Sequence, residues 1–121
     1  MAKIIPIISF NDTRGTLTVI QDELPFEVKR IFYIYNSDGS KRGGHRHKRT
    51  IQAAVCINGE CKIYVNNGTN KQIFILNKPD LCLLLEPEDF HIMYDFRNTS
   101  VLLVFASEKY DTKDYIHEDY V

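Results

Sequence analysis

Cysteine is scarce, and its placement excludes two small-protein scaffolds. Cys56, Cys61 and Cys82 make an odd count with no CxxC spacing, which rules out a disulfide framework and a zinc ribbon. No apolar run approaches the roughly 20 residues that a transmembrane helix needs, and no signal-peptide layout is present. Charge of one sign is missing too: 15 Lys and Arg stand against 16 Asp and Glu, a formal net charge of −1. That balance argues against gripping nucleic acid through a global basic field. Met1-Ala2-Lys3-Ile4-Ile5 passes straight into strand-like sequence, so the expectation is a cytoplasmic protein with neither membrane nor nucleic-acid partners. With 121 residues, 44% of them hydrophobic, the chain is expected to form one domain, 1–121.

Strand signals dominate what is present. Short runs rich in Ile, Val, Tyr, Phe and Thr predict strands near 3–9, 15–20, 28–35, 51–57, 60–66, 71–76, 81–86 and 100–106, with a short one near 91–95. Turn residues separate them at Asn11-Asp12-Thr13-Arg14-Gly15, Asn36-Ser37-Asp38-Gly39, Asn58-Gly59, Asn66-Asn67-Gly68 and Asn77-Lys78-Pro79-Asp80. A two-residue turn at Asn58-Gly59 would set Cys56 and Cys61 facing each other across a hairpin, as reduced thiols in a cytoplasmic protein. Strands this short and numerous imply an all-β sandwich or barrel. The polar, tyrosine-rich stretch 107–121 reads as a short helix or an arm lying on the barrel or on a partner subunit.

A small barrel binds ligands at its mouth, which makes its inward polar groups the point of interest. His45 and His47 are one residue apart, so on a strand both face the same way. His91 follows Pro87-Glu88-Asp89-Phe90, and His117 in the tail reads as a surface residue.

Gly44-His45-Arg46-His47, followed by Gln52 and Gly59, resembles the first signature motif of the cupins, and the stretch ending at His91 resembles the second. The resemblance implies a small jelly-roll β-barrel in which two His, a Glu and a third His hold a divalent metal. Here Gln52 stands at the Glu position, and an amide oxygen holds such a cation far less well than a carboxylate. A closer resemblance runs in order from about residue 10 to 117. Asp12-Thr13-Arg14-Gly15-Thr16-Leu17, Val28-Lys29-Arg30-Ile31-Phe32-Tyr33, Arg42-Gly43-Gly44-His45-Arg46-His47-Lys48 and Phe90-His91-Ile92-Met93-Tyr94-Asp95-Phe96 are similar to segments of the sugar-nucleotide 3,4-ketoisomerases. That family implies a metal-independent enzyme with no cofactor. Its substrate is a dTDP-linked 4-keto-6-deoxy sugar whose ketone moves from C4 to C3, and an aminotransferase then acts on the product on the way to surface polysaccharides. Arg46 stands where the family commonly has a small residue, Phe90 where it has Trp, and Tyr94 where it can have His.

Ketone migration takes a proton from C3 and delivers one to C4 through an enediol or enediolate. An imidazole of ordinary pKa about 6.5 exchanges protons near neutrality. His45 is the expected base and His47 its partner in shuttling or oxyanion stabilisation, with His47 and Tyr33 the alternative bases. Arg14, Arg30 and Arg42, which match arginines of that family, are expected to hold the pyrophosphate. Gln52 would orient the sugar, and His91 would be a pocket wall or substrate contact. Arg46 and Lys48 should point away from the histidines. Three readings compete. A metal cupin would use His45, His47 and His91 as ligands, and a non-catalytic cupin would bind nucleotide sugar without turnover. A 3,5-epimerase is the third, but such chains are longer. The exposed edge of so small a barrel, together with the resemblance, implies a homodimer, with the early strand (residues 4–8) a candidate for exchange between subunits.

Overall fold

The computed structural model describes residues 1–120; Val121, the last residue of the expected polar tail, lies outside the described residues. The strands are β1 (Lys3–Pro6), β2 (Ile8–Asp12), β3 (Gly15–Val19), β4 (Arg30–Ile34), β5 (Arg42–His47), β6 (Gln52–Asn66), β7 (Lys71–Leu76), β8 (Leu81–Leu85), β9 (Phe90–Ala106) and β10 (Tyr115–Ile116). A 3-10 turn, Thr112–Asp114, precedes β10. No helix among the described residues is long and apolar enough to cross a membrane.

Two long strands organise the molecule. β6 and β9 run antiparallel from Gln52 opposite Ala106 to Asn66 opposite Phe90. At one end of this ribbon, β8 and then β1 extend the β6 side, while β4 extends the β9 side. At the other end the flanking strands are β7 on β6, and β5 then β10 on β9. The two ends form facing layers. Ala54, Leu83 and Val104 from the first and Ile63, Leu76 and Met93 from the second meet in one core. Burying each of these larger side chains contributes about 1.5–3 kcal/mol. The result is the expected all-β jelly roll. Among the described residues no ladder joins β4 to β1 or β10 to β7, so the layers stay open at their edges rather than closing as a barrel.

The run Ala53-Ala54-Val55-Cys56 does not alternate in polarity because both faces of the first layer are covered. Ala54 and Cys56 enter the main core. Ala53 and Val55 pack with Ile7 and Cys82 beneath Ile20, Leu24 and Phe26. Such two-sided burial favours continuous apolar strands.

Three local expectations are corrected. The stretch 3–9 is two strands broken at Ile7, which is buried against the outer face of the first layer. β1 pairs with β8 of its own chain, while β2 and β3 form a separate hairpin. Asn58-Gly59 does not reverse the chain, because β6 continues through it. The register against β9 instead shifts repeatedly between Cys56 and Lys62, as in a β-bulge, where positive φ bends a strand rather than turning it. Gly59 has φ +67°, and a Cβ there would lie 2.3 Å from the Arg97 carbonyl oxygen. Cys56 and Cys61 therefore sit on one bent strand as free, buried thiols, with Cys56 Sγ donating to the Asn58 carbonyl at 3.1 Å. Likewise, 91–95 and 100–106 are one strand, bent where Asp95, Asn98 and Thr99 take positive φ.

Candidate active site

The strand carrying the paired histidines was absent from the expected set, and it exists because of its glycines. Gly43 has φ +85°, and a Cβ there would come within 2.9 Å of the His91 carbonyl oxygen. The close approach lets β5 lie against β9. A register shift between Gly43 and His45 then sets His45 directly opposite His91. β10 closes the far side of β5, with Tyr115 opposite His47 and Ile116 opposite Arg46. Alternation does the rest: His45, His47, Tyr115 and His117 share one face, and Arg46 points the other way.

These rings form a cluster. His45 lies 5.0 Å, centroid to centroid, from both His47 and His91. Tyr115 packs edge-on at 4.7 Å from both His45 and His47. His117, exposed as expected, nevertheless lies 6.0 Å from His45 and stacks on Tyr115 at 6.1 Å. The cluster borders a cavity of about 390 Å³ lined by His45, His91, Gln52, Arg30, Arg42 and Tyr115, among others.

Burial favours the neutral form of His45, His47 and His91. Burial, with smaller repulsion from His117 and Arg30, lowers His45 below its ordinary value. Burial and the neighbouring His45 bring His47 to about 4 and His91 to about 3. His91 Nδ1 lies 3.1 Å from the Asp89 carbonyl oxygen, which can only accept, so the proton sits on Nδ1 and Nε2 carries a lone pair. His91 Nε2, His47 Nε2 and the Gln52 Oε1 are buried without a hydrogen-bond partner. Buried groups left unpaired in this way are functional candidates, because desolvating them has a cost.

His47 and His91 bear on acid stability. An unfolded chain would bind protons at these positions from about pH 6.5 downward, whereas the folded one resists until about 4 and 3. Their contribution is complete above pH 6.5 and is lost as pH falls through that window. Thermal melting is expected to drop between pH 6.5 and 4.5, and less steeply in His91→Gln. Parallel curves for the two proteins would contradict the assignment.

Arg30 is half-buried. Its Nη1 donates to the Tyr115 hydroxyl at 3.3 Å, while Nε and Nη2 are buried and unpaired. A guanidinium in a cavity wall with two free donors suits an anionic oxygen. Arg42 lies exposed on the same cavity. Arg14 does not join them. It stands at the tip of the β2–β3 hairpin, paired with Asp12 at 2.7 Å and exposed.

Tyr33 sits apart from the imidazoles. It borders the cavity, but on β4 the inward positions are Phe32 and Ile34. Tyr33 is 61% exposed and stacks on Tyr35 at 5.6 Å. The hydroxyl beside the imidazoles belongs to Tyr115, which sequence reasoning missed. The signal was Tyr115-Ile116-His117, whose alternation mirrors His45-Arg46-His47. The segment is anchored in front by Asp114, which is buried and accepts from the Thr50 hydroxyl and from Arg49 N at 2.7 Å. Burial pushes this carboxyl up, yet these hydrogen bonds outweigh it and hold the group below its ordinary value.

Among the described residues no group of three or more His, Cys, Asp or Glu is arranged to hold an ion, and Gln52 supplies no charge. The residues do not fit a cupin metal.

Comparison with known proteins agrees with the fold. The chain is 37% identical over 119 residues to the TDP-4-oxo-6-deoxy-alpha-D-glucose-3,4-oxoisomerase of Aneurinibacillus thermoaerophilus, covering 96% of this chain and 86% of that protein. A 3,4-ketoisomerase from Helicobacter canadensis superposes with a TM-score of 0.91 at 37% identity, over 97% of this chain and 90% of the other. A mutant of the ketoisomerase QdtA from Thermoanaerobacterium thermosaccharolyticum, solved with TDP-4-keto-6-deoxyglucose, gives 0.92 at 37%, over 97% and 87%. The family model described as FdtA, WxcM-like, C-terminal matches residues 1–121, and the chain belongs to that family.

Proposed function

We propose that this protein is a 3,4-ketoisomerase that moves the ketone of a TDP-linked 4-keto-6-deoxy sugar from C4 to C3. One observation carries the reading: His45, with the same-face His47 5.0 Å behind it and both imidazoles lowered by burial, borders a cavity that also presents the unpaired donors of Arg30. Two of the related proteins named above carry this substrate in their names or were solved with it.

His45, the one of the strand pair that lines the cavity, takes the C3 proton as general base. The electron pair left at C3 forms the C3–C4 double bond, and negative charge collects on O4. The O3 proton passes to O4 through the His47 and Tyr115 side of the cluster as C4 receives a proton. The product is the C3 ketone with a C4 hydroxyl. Oxidation moves between neighbouring carbons, so electrons balance without a redox partner. The unpaired donors of Arg30 together with Arg42 hold the pyrophosphate, and Gln52 and the His91 Nε2 lone pair orient the sugar hydroxyls. Arg14 and Tyr33, expected in these roles from sequence, are not assigned them within a single chain.

The protein works in the cytoplasm as one domain, and its product feeds amination on the way to a surface glycan. It is a homodimer: Phe10 and Leu17 on the separate β2–β3 hairpin are 59% and 63% exposed, an apolar surface that a second copy would cover. Light scattering at working concentration is expected to return the mass of two chains, and a single-chain mass would remove the dimer. Protein treated with a chelator is expected to keep its turnover of TDP-4-keto-6-deoxyglucose. Loss of turnover restored by a divalent metal would favour the metal-cupin reading instead.

A further inference from the structure

The ladder that puts Tyr115 and His117 beside the catalytic imidazoles is only two residues long. So short an edge pairing near a chain end frays unless it is tied down. Asp114 ties it in front. Behind it, the backbone carbonyl of Glu118 accepts from Arg46 Nε at 3.3 Å, and the Tyr120 hydroxyl accepts from Arg46 Nη1 at 3.1 Å. The Arg46 guanidinium lies 4.3 Å over the Tyr120 ring, close enough for a cation–π attraction. The Tyr120 hydroxyl in turn donates to the Glu88 carbonyl at 2.8 Å. Asp119 accepts from Asn66 Nδ2 at 2.9 Å and from the Tyr64 hydroxyl at 3.3 Å. The ring of Tyr120 also lies over Gly68, where a Cβ would approach it to 3.1 Å.

We propose that Arg46 is a positioning residue. From the outward side of the strand that carries His45 and His47, it clamps residues 118–120 and thereby holds Tyr115 and His117 against the imidazoles. Arg46 occupies the position between the paired histidines, so catalytic face and clamp are opposite sides of one strand. The strand links them rigidly. A small residue there offers neither the bidentate donors nor the cation that the Tyr120 ring receives.

The clamp has a consequence for His45. The groups facing that imidazole are His47 on its own strand, His91 from β9, Arg30 from β4, and Tyr115 and His117 from the C-terminal segment. Only the last two depend on the clamp. Releasing them admits water and removes the repulsion from His117, so His45 moves back toward the ordinary value of about 6.5.

The inference rests on the ketoisomerase reading for its kinetic arm alone. Wild type, Arg46→Ala, Arg46→Lys and Tyr120→Phe are compared by imidazole nitrogen NMR titration, by kcat and KM against pH, and by melting. Arg46→Ala is expected to raise the titration midpoint of His45 and shift the acid limb of kcat the same way. At its optimum, kcat should fall about tenfold with KM nearly unchanged, as for a catalytic group slightly misplaced. Arg46→Lys should recover part of each effect, and Tyr120→Phe should show a smaller shift in the same direction. A lower melting temperature in Arg46→Ala with His45 titration and kcat unmoved would overturn the proposal, leaving Arg46 a surface stabiliser. Should Arg46→Ala fail to fold, an unshifted His45 in folded Tyr120→Phe would overturn it equally. If the wild type does not turn over the sugar, the functional reading fails while the titration still decides the clamp.

Discussion

His45→Asn is expected to lower kcat by roughly two to four orders of magnitude, the range over which a positioned acid or base contributes. Asparagine keeps the approximate volume and a hydrogen-bonding amide, but it has no lone pair able to take a carbon-bound proton near neutral pH. The fold should survive, because His45 is only half-buried and the ladder beneath it is made by backbone groups. Binding of TDP should survive as well, because Arg30 and Arg42 are left in place. Steady-state kinetics with calorimetry of TDP binding separates the two effects: kcat collapses while the dissociation constant stays within a few-fold. Activity at the wild-type level would transfer the base to Tyr33 or to His47, which carries an unpaired Nε2 on the same face of the strand.

Gly59→Ala is expected to be the most damaging single-methyl change for stability. An alanine Cβ would stand 2.3 Å from the Arg97 carbonyl oxygen, 2.6 Å from that of Asn98 and 2.9 Å from the Ser100 Cα. All three obstacles are backbone, so no side chain can swing away, and φ of +67° adds strain of its own. The bulge sits where β6 and β9 bend together from one layer to the other, so relief would require separating the ribbon that both layers share. A loss of at least about 3 kcal/mol is expected, lowering the melting temperature by roughly 10 °C or more. Calorimetry checks this. A variant melting within about 2 °C of wild type would mean that the bulge is not a fixed joint.

Much of this was legible in the chain because short-range rules governed it. Hairpins at Thr13-Arg14 and Asn67-Gly68, and the strand after each, follow from turn chemistry and alternation. Asn58-Gly59 carries the same dipeptide signal, yet it forms a bulge. Positive φ serves both a turn and a bend, and only the long partner strand β9 decides between them. The placement of His45 and His47 on one face needed nothing but strand period. Placing Tyr115 required knowing that a two-residue strand pairs with β5 from about 70 residues away. Tyr33 borders the cavity from the exposed face of β4: alternation along β4 was readable, but which half faced inward depended on β9, where Val104 rather than Leu103 enters the core. Arg46 was correctly expected to point away from the histidines, but the tail that meets it there is visible only in three dimensions.

The most direct test of the central claim is proton NMR of TDP-4-keto-6-deoxyglucose with the chelator-treated protein in deuterated water. The account predicts that the C3 proton signal disappears as a 3-keto product grows, because C3–H is broken and solvent deuterium enters. An unchanged sugar spectrum, with only the nucleotide resonances broadened, would contradict it and leave a protein that binds the substrate without isomerising it.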